Sequence, residues 1–236
     1  EESEDGDSLV DVLNDSCQII SDAVTNQHAL LAQIIGQNKA SKNYKFKYET
    51  QAHLTAWNEL KVELKHQNRF FPKHSIYSSL FGVAATESSG DLDIFYALLE
   101  QISLPVLEDD GEPFFRARIA EQRLNKDKMG APPNNLASAG RANPRGIAYL
   151  YLAENLDTCI AEVRPAKGSG VCVSAVTLTA DVVFLNLSEP RRSVSVTEVA
   201  ENRHQQFFTY LAFLENLSGE LSQSILPDNS DLEYIP

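Results

Sequence analysis

The chain is poor in positive charge, in sulfur and in long apolar runs. Its 236 residues carry 20 Lys and Arg against 33 Asp and Glu, a formal net charge of −13 at pH 7. A field of that sign repels nucleic acid and anionic membrane surfaces, so neither is an expected partner. No apolar stretch approaches the roughly 20 residues of a membrane helix. Glu1 to Asp7 is acidic, with no basic flank before an apolar segment, so no secretory leader is read and a cytoplasmic location is expected. Cys17, Cys159 and Cys172 are odd in number and far apart, which fits a reducing compartment and buried thiols better than a disulfide framework. The histidines (His28, His53, His66, His74, His204) show no HExxH or Cys/His ligand spacing, so no metal is expected. Gly-x-Ser-x-Gly, GxGxxG and the Gly-Lys-Ser/Thr ending of a phosphate loop are all missing. No internal repeat or low-complexity segment is present.

The remainder suits a packed protein of one large or two small domains, with 43% apolar residues. Leu9, Leu13, Cys17, Ile20 and Val24 fall at helical spacing, and Leu30, Ile34 and Ile35 extend that face. Asn38 to Glu49, with Tyr44, Phe46 and Tyr48 alternating, reads as a loop or short strand. Trp57, Leu60 and Leu64 mark a second helix, and Ile94, Phe95, Leu98, Leu99 and Ile102 a third. An acidic turn cluster, Glu108 to Gly111, separates a helical domain over 1–112 from a mixed domain over 113–236. The second domain predicts strands at Phe114–Ile119, Ile147–Leu152, Val171–Leu178 and Val182–Leu187. A short helix from Leu156 is stopped by Pro165, and a longer one covers Val199–Leu217. The fold class is α+β.

Alternation places Phe114, Arg116 and Arg118 on one strand face and Phe115, Ala117 and Ile119 toward the core. Two neighbouring guanidinium groups repel each other unless an anion sits between them, and the arginine fork suits phosphate. Pairing with Glu112 or Glu121 on an exposed face is the equal alternative. In Ala139 to Gly146, the glycines allow a ligand close to the main chain, Arg141 and Arg145 add charge, and Asn143 offers donor and acceptor groups. Tyr149 and Tyr151 share a face, to stack on a ring or to lie half-buried with satisfied hydroxyls. Glu162 sits between Ala161 and Val163 in the short helix, where a carboxylate near the core needs a partner or a purpose. Such a group stabilises the oxocarbenium charge that builds up when an N-glycosidic bond breaks; the plain alternative is a pair with Arg164 or Lys167. Arg69 and His74 have a spacing used by some helical ribonucleases, but Pro72 interrupts it.

Taken in order, five segments resemble the RES-domain family. They are Phe114–Ile119, Met129-Gly130-Ala131-Pro132-Pro133, Ala139–Gly146, Leu150-Tyr151-Leu152-Ala153 and Ala161-Glu162-Val163-Arg164-Pro165. The helical first half resembles the HEPN-like extension that precedes some RES domains. The resemblance implies a fold like the ADP-ribosyltransferase toxins, with NAD as substrate. Family members hydrolyse or phosphorolyse NAD, or transfer ADP-ribose to protein. Many are toxins, which adds a cognate antitoxin or regulatory protein to the expected partners and leaves a homo-oligomer open.

Carried over by motif, Arg116, Tyr151 and Glu162 are the catalytic set, and Arg141 and Asn143 occupy the family's Gly-Arg-Trp-Asn motif; Arg118, Gly140 and Tyr149 join these two as expected NAD contacts. Arg116, Arg118 and Arg141 would hold the pyrophosphate, Tyr151 would pack on nicotinamide or ribose, and Glu162 would face the cation-like transition state. Ala142 stands where the family motif usually has tryptophan. The family continues after Tyr-Ile/Leu-Pro with a helix and a strand bearing a serine, whereas this sequence ends at Tyr234-Ile235-Pro236, so a cleft short of one wall is expected. Three functions follow: cleavage of the nicotinamide–ribose bond, ADP-ribosyl transfer to protein, and an inactive module that binds a partner through its helical half.

Overall fold

The computed structural model describes residues 2–21, 23–45, 48, 50–68, 71–75, 77, 89–106 and 112–223. Phe46, Arg69, the acidic turn Glu108–Gly111 and the chain from residue 224 onward lie outside the described residues. In chain order the elements are β1 (Glu2–Ser8), α1 (Leu9–Asp11), α2 (Gln27–Ile35), α3 (Gln37–Ala40), β2 (Asn43–Tyr44) and α4 (Gln51–His66). There follow α5 (Ser89–Gln101), β3 (Ser103–Val106), β4 (Phe114–Ile119), α6 (Leu156–Val163), β5 (Val171–Val176), β6 (Val182–Leu185) and α7 (His204–Ser222). The mixture of helices with small antiparallel sheets is α+β, as expected. Two compact units divide the chain: Glu1–Ser103 with Leu185–Glu220, and Leu104–Phe184 with Leu221–Pro236.

The first unit is organised by α5 and α7. Ile94, Leu98 and Ile102 repeat every fourth residue, and Phe207, Leu211 and Leu214 do so at four and three, which lines each helix with one apolar stripe. The stripes pack together with Phe208, Tyr210 and Val194 into one buried cluster. Trp57 of α4 meets Phe213 edge-on, with centroids 4.9 Å apart, and Phe95 meets Tyr210 at 5.3 Å. At the rim, Arg191 donates to both carboxylate oxygens of Glu215 at 2.6 and 2.7 Å. A 3₁₀ turn, Glu201–Arg203, replaces the expected start of α7, and another, Val196–Glu198, precedes it.

The N-terminal segment departs from its helical spacing. Ser8 caps α1 by accepting the Asp11 N–H at 3.1 Å, but α1 passes into a π-helical turn, Val12–Ser16, and ends. Gln18 (φ 46°) and Asn26 (φ 61°) adopt the left-handed conformation, which no continuous helix allows. Helix α2 therefore starts with a new phase. It buries Leu31 and leaves Leu30 and Ile34 exposed, the reverse of the expected face. Strand β1, absent from the sequence reading, pairs antiparallel with β2.

In the second unit β4 and β5 pair antiparallel, with Phe114 opposite Val176, Arg116 opposite Ser174 and Arg118 opposite Cys172. On the other edge of β4, Phe115 and Ala153 exchange two backbone hydrogen bonds of 2.7 and 2.9 Å. That single bridge is all that forms of the strand expected over Ile147–Leu152. At the start of that segment the Ile147 carbonyl accepts from the Asn143 side chain at 2.8 Å, which ties it to the preceding loop. Ala117 is buried as expected, while Ile119, at the end of β4, is exposed. Helix α6 packs on β4. Asn155 caps it by accepting the Thr158 N–H at 2.8 Å, and Arg164 (φ 45°) ends it in the left-handed conformation before Pro165. Strands β3 and β6 pair separately.

Candidate functional site

Strand β4, the loop over 137–143, the Tyr149–Ala153 segment and α6 enclose a cleft of about 390 Å³ within the second unit. That volume lies in the range of about 300–1,000 Å³ common for small-molecule sites. Six of the eight residues singled out from sequence line it: Arg116, Gly140, Asn143, Tyr149, Tyr151 and Glu162. Arg118 and Arg141 do not. Arg118 donates through Nη1 to the Lys128 carbonyl at 2.6 Å, and Arg141 donates through Nε to the Gln223 carbonyl at 3.0 Å. Both guanidinium groups thus hold loops by main-chain carbonyls, and among the described residues a single arginine, Arg116, faces the cleft.

The electrostatics of Arg116 are unusual. Its Nε and Nη1 are shielded from solvent and have no hydrogen-bond partner among the described residues. Burial lowers its pKa from the ordinary arginine value, and repulsion from Arg118 lowers it further. An arginine nonetheless stays cationic in a protein. A desolvated cation without a partner is costly, and an anion in the cleft would relieve that cost. Cys159, in the same wall and 4% exposed, carries a thiol that burial pushes above its usual pKa, with Arg116 pulling the other way. Spacing alone could have placed Cys159 here, since it lies three residues before Glu162 and so on the same face of α6.

Glu162 lines the cleft from α6 and is exposed there, not close to the core as the sequence reading had it. It makes no ion pair with the described residues, so the alternative of pairing with Arg164 or Lys167 is not what the structure holds. Tyr149 and Tyr151 stand with ring centroids 6.5 Å apart, each about half exposed to the cleft.

The loop is ordered by one amide. Asn143 is 2% exposed, and its Nδ2 donates to the carbonyls of Ser138 (3.0 Å), Ile147 (2.8 Å) and Pro144 (3.2 Å). Its Oδ1 accepts a short hydrogen bond from the Tyr151 hydroxyl, whose oxygen in turn accepts the Ala142 N–H at 3.1 Å. Gly140 is required by this packing. A Cβ there would lie 2.6 Å from the Tyr151 hydroxyl and 2.7 Å from Asn143 Oδ1. The absent side chain of Gly140 makes room for a tyrosine, where the sequence suggested room for a ligand. Burial raises the pKa of the Tyr151 phenol, so its hydroxyl keeps its proton at neutral pH.

Among the described residues, Asp11, Asp15 and His28 in the first unit place possible ligand atoms within 4.8 Å of one another. These side chains already have other bonds: Asp11 holds His28 at 3.3 Å and accepts from Ser8 at 2.6 Å, and Asp15 accepts from Asn14 at 2.9 Å. No described helix is long and apolar enough to cross a membrane.

No curated protein and no solved structure matches the chain. A family model does: residues 113–220 match the RES domain, a stretch that includes every residue lining the cleft. The RES family is associated with the use of NAD by toxin-like enzymes. The cleft described above therefore lies within the stretch, residues 113–220, that is similar to the RES domain.

Proposed function

We propose that the protein cleaves the nicotinamide–ribose bond of NAD. The observation that carries this reading is the Arg116 guanidinium, shielded from solvent and unpartnered at Nε and Nη1, in the same cleft as an unpaired carboxylate, Glu162. The substrate supplies both complements. Its pyrophosphate is an anion for Arg116, with two parallel charge-assisted hydrogen bonds to the guanidinium fork. Its ribose is the part that becomes positive as the bond breaks, and Glu162 stabilises that charge without a covalent step. The bonding electrons leave with the nicotinamide nitrogen, which becomes neutral. Water then adds to the anomeric carbon and loses a proton to solvent. The faces of Tyr149 and Tyr151 offer aromatic surface to nicotinamide or ribose.

Arg118 and Arg141 have no direct part in this scheme, since both guanidinium groups are engaged with main-chain carbonyls. Arg118 still acts at a distance, because its charge disfavours an empty Arg116 site. A toxin-type role, held in check by a partner protein, fits the same reading.

The test is incubation of the full chain with NAD, following nicotinamide by chromatography. Release is expected, with a loss on the order of 10²-fold in Glu162→Gln, the size typical for removal of one electrostatic stabiliser. Radiolabelled NAD identifies the acceptor: free ADP-ribose means water, whereas label retained on protein would replace hydrolysis with transfer. Undiminished release in Glu162→Gln would reject the role of the carboxylate.

A further inference from the structure

We infer that Asn143 is a positioning residue: it fixes the Tyr151 ring in the cleft and does not bind the dinucleotide itself. The inference rests on the reading of the cleft as the NAD site and assigns one of its parts. An asparagine amide has two N–H donors and one carbonyl acceptor with two lone pairs. At Asn143 both donors point into the loop, where three carbonyls surround them, and the acceptor receives the Tyr151 hydroxyl. No donor remains for a ligand. The residue is also the one polar side chain among the largest fully buried ones of the described residues, so its place is inside the wall and not on its surface.

The Tyr151 hydroxyl is equally occupied. It gives its proton to Asn143 Oδ1 and accepts the Ala142 N–H. A phenol held at both its donor and its acceptor side, with burial favouring its neutral form, does not exchange protons with a substrate. Tyr151 therefore contributes its ring face, and the ring's angle is set by a chain of contacts that begins at Asn143. Gly140 completes the device, because any Cβ at that position would displace the hydroxyl. The segment from Ser138 to Tyr151 is thus one clip. Asn143 gathers the carbonyls of residues 138, 144 and 147, and the same amide latches the tyrosine.

The test combines a spectroscopic probe with kinetics. Fluorotyrosine placed at residue 151 gives one fluorine resonance per conformation of that ring. In the full chain a single resonance distinct from that of the unfolded protein is expected, and Asn143→Ala should move it toward the unfolded position. Asn143→Ala and Tyr151→Phe should each lower kcat/KM for nicotinamide release about tenfold. The double variant should fall no further than the worse single, since both break one contact. Tyr151→Phe removes only the hydroxyl of a half-exposed side chain and guards against an Asn143→Ala chain that fails to fold, because its own tenfold loss is expected whether or not that chain folds. An unmoved resonance in folded Asn143→Ala, or losses that multiply to about a hundredfold in the double variant, would overturn the inference. A chain that releases no nicotinamide at all counts against the proposed function, and the resonance still decides the positioning claim.

Discussion

The two units of this protein are stabilised in opposite ways. Among the described residues of the first, the fully buried large side chains are Leu31, Leu60, Leu98, Ile102, Phe207, Leu211 and Leu214, all apolar. Among the described residues of the second the corresponding residue is Asn143, and the buried apolar positions are Ala117, Met129, Ala137 and Cys159, mostly small. The first unit gains its stability from area removed from water. The second keeps a cleft open, tolerates an unpartnered cation on its wall and relies on hydrogen bonds to hold its loop. The difference teaches where activity and stability should separate: substitutions in the first unit should read out in melting, and those in the cleft of the second in chemistry.

The largest effect expected on stability is at Phe207. Truncating this fully buried ring, Phe207→Ala, should cost about 3–5 kcal/mol in chemical denaturation. A cost below about 1 kcal/mol would remove the contrast between the units. Next is Arg116→Met, which keeps the volume and removes the charge. Nicotinamide release should fall by about 10²–10³-fold while the melting temperature stays equal or rises, because a half-buried cation whose shielded Nε and Nη1 lack partners has been taken away. Third is Gly140→Ala, whose new methyl group meets the Tyr151 hydroxyl and Asn143 side chain. A loss of about 1–3 kcal/mol is expected, together with a shift of the residue-151 resonance.

A smaller loss, about 1 kcal/mol, is expected for Asn155→Ala, which uncaps α6. Smallest is a pH effect. The Tyr151 pKa is raised in the folded state, so its contribution to stability is present below the ordinary tyrosine value of about 10 and lost as pH rises above it. Denaturation curves should show the unaltered chain losing more stability above that pH than Tyr151→Phe does. Equal losses would remove Tyr151 from the account.

The helices of the first unit were legible because apolar spacing and burial agree there: Trp57 with Leu60, and Ile94 with Leu98 and Ile102, fall inside just where their periods place them. The N-terminal period misled, since left-handed residues at Gln18 and Asn26 break a pattern that hydrophobicity alone continues. The strand expected at Ile147–Leu152 is not formed, and its first residue is instead tied to the preceding loop by the Asn143 amide, a bond that alternation does not encode. In the cleft, residue types gave Arg116 and Glu162 their candidacy, and the structure places both on one wall system. The engagement of Arg118 and Arg141 with the Lys128 and Gln223 carbonyls depends on loop geometry, which no spacing encodes. The same holds for Gly140, whose purpose appears only when the hydroxyl beside it is seen.

The central claim is that the bare guanidinium in the cleft wall awaits the pyrophosphate of NAD. Calorimetric titration of NAD into the full chain and into its Arg116→Met variant measures this directly. Binding by the first and a loss of at least about tenfold in affinity by the second is the predicted result. Equal affinities in two folded proteins, or no binding by the unaltered chain, would contradict it.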